Sequence, residues 1–217
     1  MVAWVLSALR QGGVGRIAFV GPKAQLDPAP DLWLEDAGDL LGNLARGLEA
    51  LKAQEPVLVA TADVPFLSAE AVRYLLTRAP NAALVYPIVP RDVVEERFSG
   101  TRRTYAHLRE GTFTGGNLVV LDPALFKRAL PVAERVVAWR KNPFRLALLF
   151  GPGFLLRLLA GRLSVMELEA RAERIFGVPM KALVVPYPEV GVDVDKPEDL
   201  ALAERVLGRG EGFAKGS

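Results

Sequence analysis

Apolar positions along this chain change their period repeatedly, and each change marks a predicted element. Met1 to Gln11 carries Trp4, Leu6 and Leu9 at helical spacing, so a helix is expected there. Arg16–Val20 and Leu32–Leu34 are short strand-type runs. Asp39 to Ala53 places apolar residues at 40, 41, 44, 45 and 48, the stripe of an amphipathic helix. Pro56–Thr61 (PVLVAT) is an apolar run of the buried-strand kind, and Ser68 then offers an N-cap for a helix through Arg78. Ala82–Val89 predicts another strand, in which Pro87 demands an edge or a bulge. Arg103–Arg109 and Leu118–Leu121 predict strands, with a turn at Glu110-Gly111.

From Pro123 to Phe176 the periodicity is helical, with a capping box at Ser164 and Glu167. A strand returns at Ala182–Val185. Asp195, Pro197 and Glu198 then carry the signals of a last helix, with Asp195 as its N-cap. The alternation predicts an α/β fold: a three-layer, Rossmann-like mixed sheet, mainly parallel. One domain is expected over 1–207, with a helical insertion at 131–176 and a tail at 208–217.

Composition narrows the chemistry. The 217 residues contain no Cys, which excludes disulfides, zinc–thiolate centres and cysteine nucleophiles. A reducing cytoplasm suits such a chain. The single His107 excludes multi-histidine metal sites, and no G-x-S-x-G elbow accompanies it for a serine triad. A net charge of +2, spread among acidic residues, gives no nucleic-acid footprint. The most apolar stretch, Phe144–Ala160, is interrupted by Arg145, Arg157 and Gly151-Pro152-Gly153. It falls short of the roughly 20 apolar residues of a transmembrane segment. It suits two short buried helices, a groove for a greasy acceptor, or peripheral contact with a membrane.

Three segments could carry chemistry. In LVATADVPFLSAEAV a strand runs into Asp63, Pro65 turns the chain, and a capped helix follows. Asp63 therefore belongs at the carboxyl end of a strand, where open α/β sheets bind ligands. Its carboxylate suits Mg²⁺, or a turn in which it caps the backbone near residue 65. In EVGVDVDKPEDL, Asp193 and Asp195 alternate along an extended segment, which sends their side chains in opposite directions. With Asp195 capping the last helix, Asp193 is the freer ligand, and a bend would reverse the two. In GTFTGGNLVV, a glycine pair before a strand lets backbone approach a ligand, or forms a tight turn that Asn117 stabilises.

Together these segments resemble the MobA-like nucleotidyltransferases, relatives of molybdenum-cofactor guanylyltransferases and sugar-nucleotide pyrophosphorylases. The likeness rests on Ala62-Asp63-Val64-Pro65, on Thr114-Gly115-Gly116-Asn117, and on Asp193-Val194-Asp195-Lys196-Pro197-Glu198-Asp199-Leu200. It extends to Gly38–Leu48, including Asn43, where such a chain passes near the nucleotide base. The resemblance implies a nucleotide-diphospho-sugar transferase type of fold. It also implies Mg²⁺-assisted transfer of a nucleoside monophosphate from a nucleoside triphosphate to an acceptor phosphate or hydroxyl. Asp63 would hold the metal with Asp193 or Asp195, while Gly115, Gly116 and Asn117 line the acceptor side. Arg102 and Arg103 would meet an anionic acceptor or belong to a solvated surface.

The family's glycine-rich phosphate loop has no counterpart upstream of Met1-Val2-Ala3-Trp4. Gly12-Gly13-Val14-Gly15-Arg16 leaves a helix and enters a strand, the reverse of a phosphate loop, and is expected to cap and turn. A chain of this kind is expected to be less stable than one with an added upstream strand, or to cover the gap as a homodimer. Two other functions fit the sequence: a non-catalytic nucleotide- or partner-binding descendant, and a nucleotide-sugar-dependent glycosyltransferase. The latter normally places a second acid where Pro65 stands.

Overall fold

A computed structural model describes residues 1–101, 103–139 and 149–208. Helix α1 (Val2–Gln11) ends at Gly12, and Gly13 follows at φ +99, as expected of a helix stop. Strands β1 (Ala18–Val20) and β2 (Leu32–Leu34) pair in parallel as a separate two-stranded sheet. Helix α2 (Leu40–Leu51) is capped by Asp39, whose side chain accepts from Gly42 N. Strand β3 (Val57–Ala60) leads to α3 (Ala69–Arg78), capped by Ser68. Strand β4 (Leu84–Pro90) passes straight into α4 (Arg91–Arg97), a helix that the sequence pattern did not predict. The GTFTG segment is itself a strand, β6 (Gly111–Gly115), between β5 (Ala106–Leu108) and β7 (Leu118–Leu121).

Helix α5 (Pro123–Trp139) contains Pro131, so the expected start of the insertion falls inside a helix. Two shorter helices, α6 (Pro152–Leu159) and α7 (Val165–Phe176), precede β8 (Met180–Val184). A 3₁₀ turn at Pro188–Gly191 and α8 (Pro197–Gly208) close the described chain. Residues 140–148, which include part of the apolar stretch, and the tail from 209 onward lie outside the described residues.

The expectation of a mainly parallel sheet is corrected. In the six-stranded sheet only β4 and β8 pair in parallel; β3–β7, β4–β7, β4–β6 and β5–β6 are antiparallel. The cause is local connectivity. Strands β5, β6 and β7 follow one another through short turns, and β7 inserts between β3 and β4. Because β7 opposes both neighbours, β3, β4 and β8 still run in one direction, and their carboxyl ends share one edge.

Strands β6 and β7 lie end to end along the same side of β4. Ile88 faces Gly115 and Val85 faces Val120, a two-residue slip that forms a bulge opposite Pro87. Pro87 thus sits in a central strand at a bulge. Its carbonyl accepts from Gly116 N at 2.8 Å. A Cβ on Gly116 would stand 2.8 Å from Val190 Cγ1 and 3.1 Å from the Pro87 carbonyl oxygen, which explains the glycine.

Strand β4 alternates its two faces. Val85, Pro87 and Val89 are buried toward α1 and α3, in a core with Leu6, Phe66, Val72 and Leu75. Leu84 faces the opposite layer, where Leu48 of α2, Leu121 and Phe126 of α5 cluster. This gives the three expected layers. The expected burial of helices in the apolar stretch fails for α6. It packs on β5 and contains no buried residue, and Leu156 and Leu159 are 67% and 83% exposed. No helix among the described residues is long and apolar enough to cross a membrane.

This packing makes the bulge and the start of α7 sensitive to substitution. Gly116→Ala should lower stability by about 1–3 kcal/mol through overpacking of the bulge. It should be read as a lower urea midpoint at unchanged slope. At the start of α7, Glu167 is held at about pH 2, below its ordinary 4.5, first by Arg157 and then by the Ser164 N–H of the capping box. A lowered carboxyl stabilises the fold above its unfolded value and ceases to do so as pH falls through the folded one. Between pH 4.5 and about 2 the wild type should therefore lose stability that Glu167→Gln never had, visible as a flatter acid limb of urea midpoint against pH for the variant.

Candidate active site

Asp63 follows β3 by three residues and sits where the strand's carboxyl end leaves the sheet. Its carbonyl accepts from Val194 N at 2.9 Å, which draws the 192–195 segment across the end of β3. The next strap is Thr61 N to Asn117 O at 3.1 Å, and a third runs from Asn117 N to Val190 O at 2.8 Å. Three loops that are distant in sequence are thereby tied by backbone hydrogen bonds.

The ties bring Asp63, Asp193 and Asp195 together, with one carboxylate oxygen of each within 4.8 Å of the others. The expected divergence of Asp193 and Asp195 is corrected: residues 192–195 form no strand ladder, and with Val194 N bound to the Asp63 carbonyl both carboxylates meet that of Asp63. The expected cap is corrected too. Helix α8 begins after Lys196, and Asp199 reaches back to accept from Asp195 N at 3.3 Å and Lys196 N at 3.2 Å. Asp195 is left to the acidic cluster.

Arg103 is the cluster's counter-charge. Its side chain is only 7% exposed, so it is no solvated surface group. It pairs with the Asp193 carboxylate, donates to the Asp193 carbonyl at 2.7 Å and reaches Asp199 Oδ1 at 3.1 Å. Burial raises the Asp193 carboxyl above its usual range, Arg103 opposes this, and the neighbouring Asp195 and Asp63 charges push it up again. Oδ1 of Asp63 is buried with no hydrogen-bond partner. Three like charges around an unpartnered buried oxygen are what a divalent cation with oxygen ligands would compensate, so the donor set fits Mg²⁺.

The other candidates divide into two groups. Asp193, Asp195, Arg103, Thr114, Gly115 and Asn117 line one cavity of about 1040 Å³. Gly116 sits beside it in the bulge. Gly38 and Asn43 do not line it. Gly38 N donates to Asp36 Oδ1 at 2.8 Å, and Asn43 Oδ1 accepts from Ala37 N at 2.6 Å, so both build the entry to α2. Arg102 lies outside the described residues. His107 is exposed, with Nδ1 3.0 Å from Thr112 Oγ1.

Sequence reasoning missed Glu189. It is 1% exposed, and Oε1 accepts from Ser68 Oγ at 2.5 Å while Oε2 lies 3.9 Å from Arg97. Ser68 begins the helix after Asp63, and Glu189 begins the turn before Asp193, so this bond clamps the two ligand loops. The available signal was an acid within the apolar run VVPYPEVGV.

The fold and site define an α/β protein with a carboxylate-lined cleft at the ends of its co-directed strands. The chain belongs to the MobA-like NTP transferase domain family, whose profile matches residues 1–136. It is similar to a structure described as a hypothetical transferase from Thermus thermophilus, at 60% identity and a TM-score of 0.88. That match covers 92% of this chain and 85% of the other. A 2-C-methyl-D-erythritol 4-phosphate cytidylyltransferase, also from Thermus thermophilus, shares the fold at 20% identity and a TM-score of 0.51, covering 95% of this chain and 87% of that one. No curated protein matches the sequence.

Glu189→Leu should cost about 1–3 kcal/mol, the penalty for stranding a buried hydrogen-bonding partner. Glu189→Gln, which keeps an acceptor for Ser68, should cost less; urea denaturation of both variants checks the order.

Proposed function

We propose that this chain transfers a nucleoside monophosphate from a nucleoside triphosphate to an oxygen of a phosphate or hydroxyl acceptor, releasing pyrophosphate. The observation that carries this is the convergence of Asp63, Asp193 and Asp195 on one point, with the Asp63 Oδ1 buried and unpartnered. Membership of an NTP transferase family supplies the class of substrate.

In the reaction an acceptor oxygen forms a bond to the α-phosphorus as the bond to the β-phosphate oxygen breaks. A phosphate acceptor brings an oxygen that is already deprotonated, whereas a hydroxyl gives up its proton, which the departing pyrophosphate takes up. Asp63, Asp193 and Asp195 would hold Mg²⁺, which when bound neutralises charge on the phosphates. The protein's own task is positioning. Arg103 fixes Asp193 through two bonds, to the carboxylate and to the carbonyl, and Asp199 fixes Arg103 in turn. Asn117, Thr114 and Gly115 line the cavity beside the acid cluster, on the side given to the acceptor.

Titration calorimetry with GTP and CTP tests the proposal. Binding should require Mg²⁺, and Asp63→Asn should weaken it at least about tenfold, a loss of about 1.4 kcal/mol. Nucleotide binding that ignores both Mg²⁺ and Asp63→Asn would overturn the assignment of the acidic cluster.

A further inference from the structure

The cavity that Asp193 and Asp195 line extends well past the acidic cluster. One end holds Asp193, Asp195, Asp199, Arg103 and Lys196. From there it runs along the outward face of the sheet to a far end under α6 and α7. The floor is set by strand alternation: Leu84 and Ile88 of β4, Met180 and Ala182 of β8, and Phe113 of β6. The roof is Leu158, Leu159, Leu168 and Ala172.

Two charged side chains reach the far end, Glu169 and Lys181, and both are already satisfied. Lys181 Nζ lies 3.2 Å from Glu169 and 3.0 Å from Glu173, and Glu169 also accepts from Ala182 N at 2.8 Å. A ligand chain in this half therefore meets mainly hydrocarbon, beside Tyr86 and His107, with no carboxylate or ammonium among the described residues left to pair. Tyr105 also lines the cavity, with its hydroxyl buried. The layout is amphipathic: an ionic end, then a mainly apolar trough.

We infer that the acceptor is itself amphipathic, an alkyl or isoprenoid chain ending in a phosphate or hydroxyl. Its head lies at Asp193 and Lys196, and its chain lies between the β4–β8 floor and the α6–α7 roof. The inference rests on the nucleotidyltransferase reading for the role of the head group, but the trough binds the chain whether or not a nucleotide is present. An exposed apolar roof is accounted for as well. Leu159 is 83% exposed and lines the cavity, which suits a wall that is completed when a ligand chain packs on it.

The test uses hexyl, octyl and decyl phosphates and the matching alcohols, all below their micelle or solubility limits, titrated into the 217-residue chain with Mg²⁺ and without nucleotide. Affinity should rise by about fourfold per added methylene where the chain is fully buried. Comparison of phosphates with alcohols identifies the head group. Ala172→Phe, which fills the trough, and Leu159→Asp, which charges its exposed wall, should flatten the rise with chain length. Both should leave Mg²⁺-dependent GTP or CTP binding unchanged. Lys196→Ala should weaken the phosphates by the same factor at every length while the rise per methylene persists.

Affinity independent of chain length overturns the inference, as does a rise that Ala172→Phe and Leu159→Asp leave untouched. So does binding to phosphatidylcholine vesicles alone, which would make the α6 leucines a membrane contact. Loss of nucleotide binding with the chain-length effect intact would instead defeat the nucleotidyltransferase reading and spare the trough.

Discussion

The backbone hydrogen bond from Val194 N to the Asp63 carbonyl, at 2.9 Å, is the contact on which the site depends. Asp63 belongs to the first half of the fold, whereas Asp193 and Asp195 come near the end of the chain. Nothing in either segment's own periodicity brings them together. The bond does so by fixing the course of residues 192–195 against the end of β3. The Thr61–Asn117 and Asn117–Val190 bonds, and the Ser68–Glu189 clamp behind them, hold the same loops from other sides. Backbone bonds suit this task, because they fix position while leaving side chains free to face the ligand.

Electrostatics explain why such a site needs support. Two of the three carboxylates are partly buried, so the cluster is held against both repulsion and desolvation. Arg103 offsets part of this, yet its guanidinium is shared with Asp199, which also closes the start of α8. One buried cation therefore couples helix α8 to the acid cluster. Removing a partner from such a group leaves the others uncompensated, which costs far more than an exposed ion pair contributes. The remaining imbalance, at Asp63 Oδ1, is the feature that a divalent cation would relieve.

Much of the fold was legible because its signals are local. Ser68, the Ser164–Glu167 box and the Gly12-Gly13 stop are helix boundaries written in adjacent residues, and each stands where the pattern placed it. Sheet direction was not legible. The strand–helix alternation of the first half suggests a parallel sheet, but β7 enters between β3 and β4 from later in the chain. Helix α4 was hidden by its short length and by Pro90, which reads as a breaker although it lies just before the first turn. At the site, Asp63 and Asp193 carried sequence signals. The roles of Asp195 and Asp199 hinged on how the start of α8 is capped, which the tertiary contacts of Asp199 decide. Arg103 and Glu189 are invisible to periodicity, since a buried charge is justified only by partners that the folded chain supplies.

The central claim is that these three aspartates form one cation site, assembled by tertiary contacts rather than by a contiguous motif. Anomalous diffraction from crystals of the protein soaked in Mn²⁺ tests it most directly. The account predicts a single strong peak bounded by Asp63, Asp193 and Asp195, absent from Asp63→Asn crystals grown and soaked in the same way. A fully ordered acidic cluster with no peak, or a peak that survives Asp63→Asn, would contradict it.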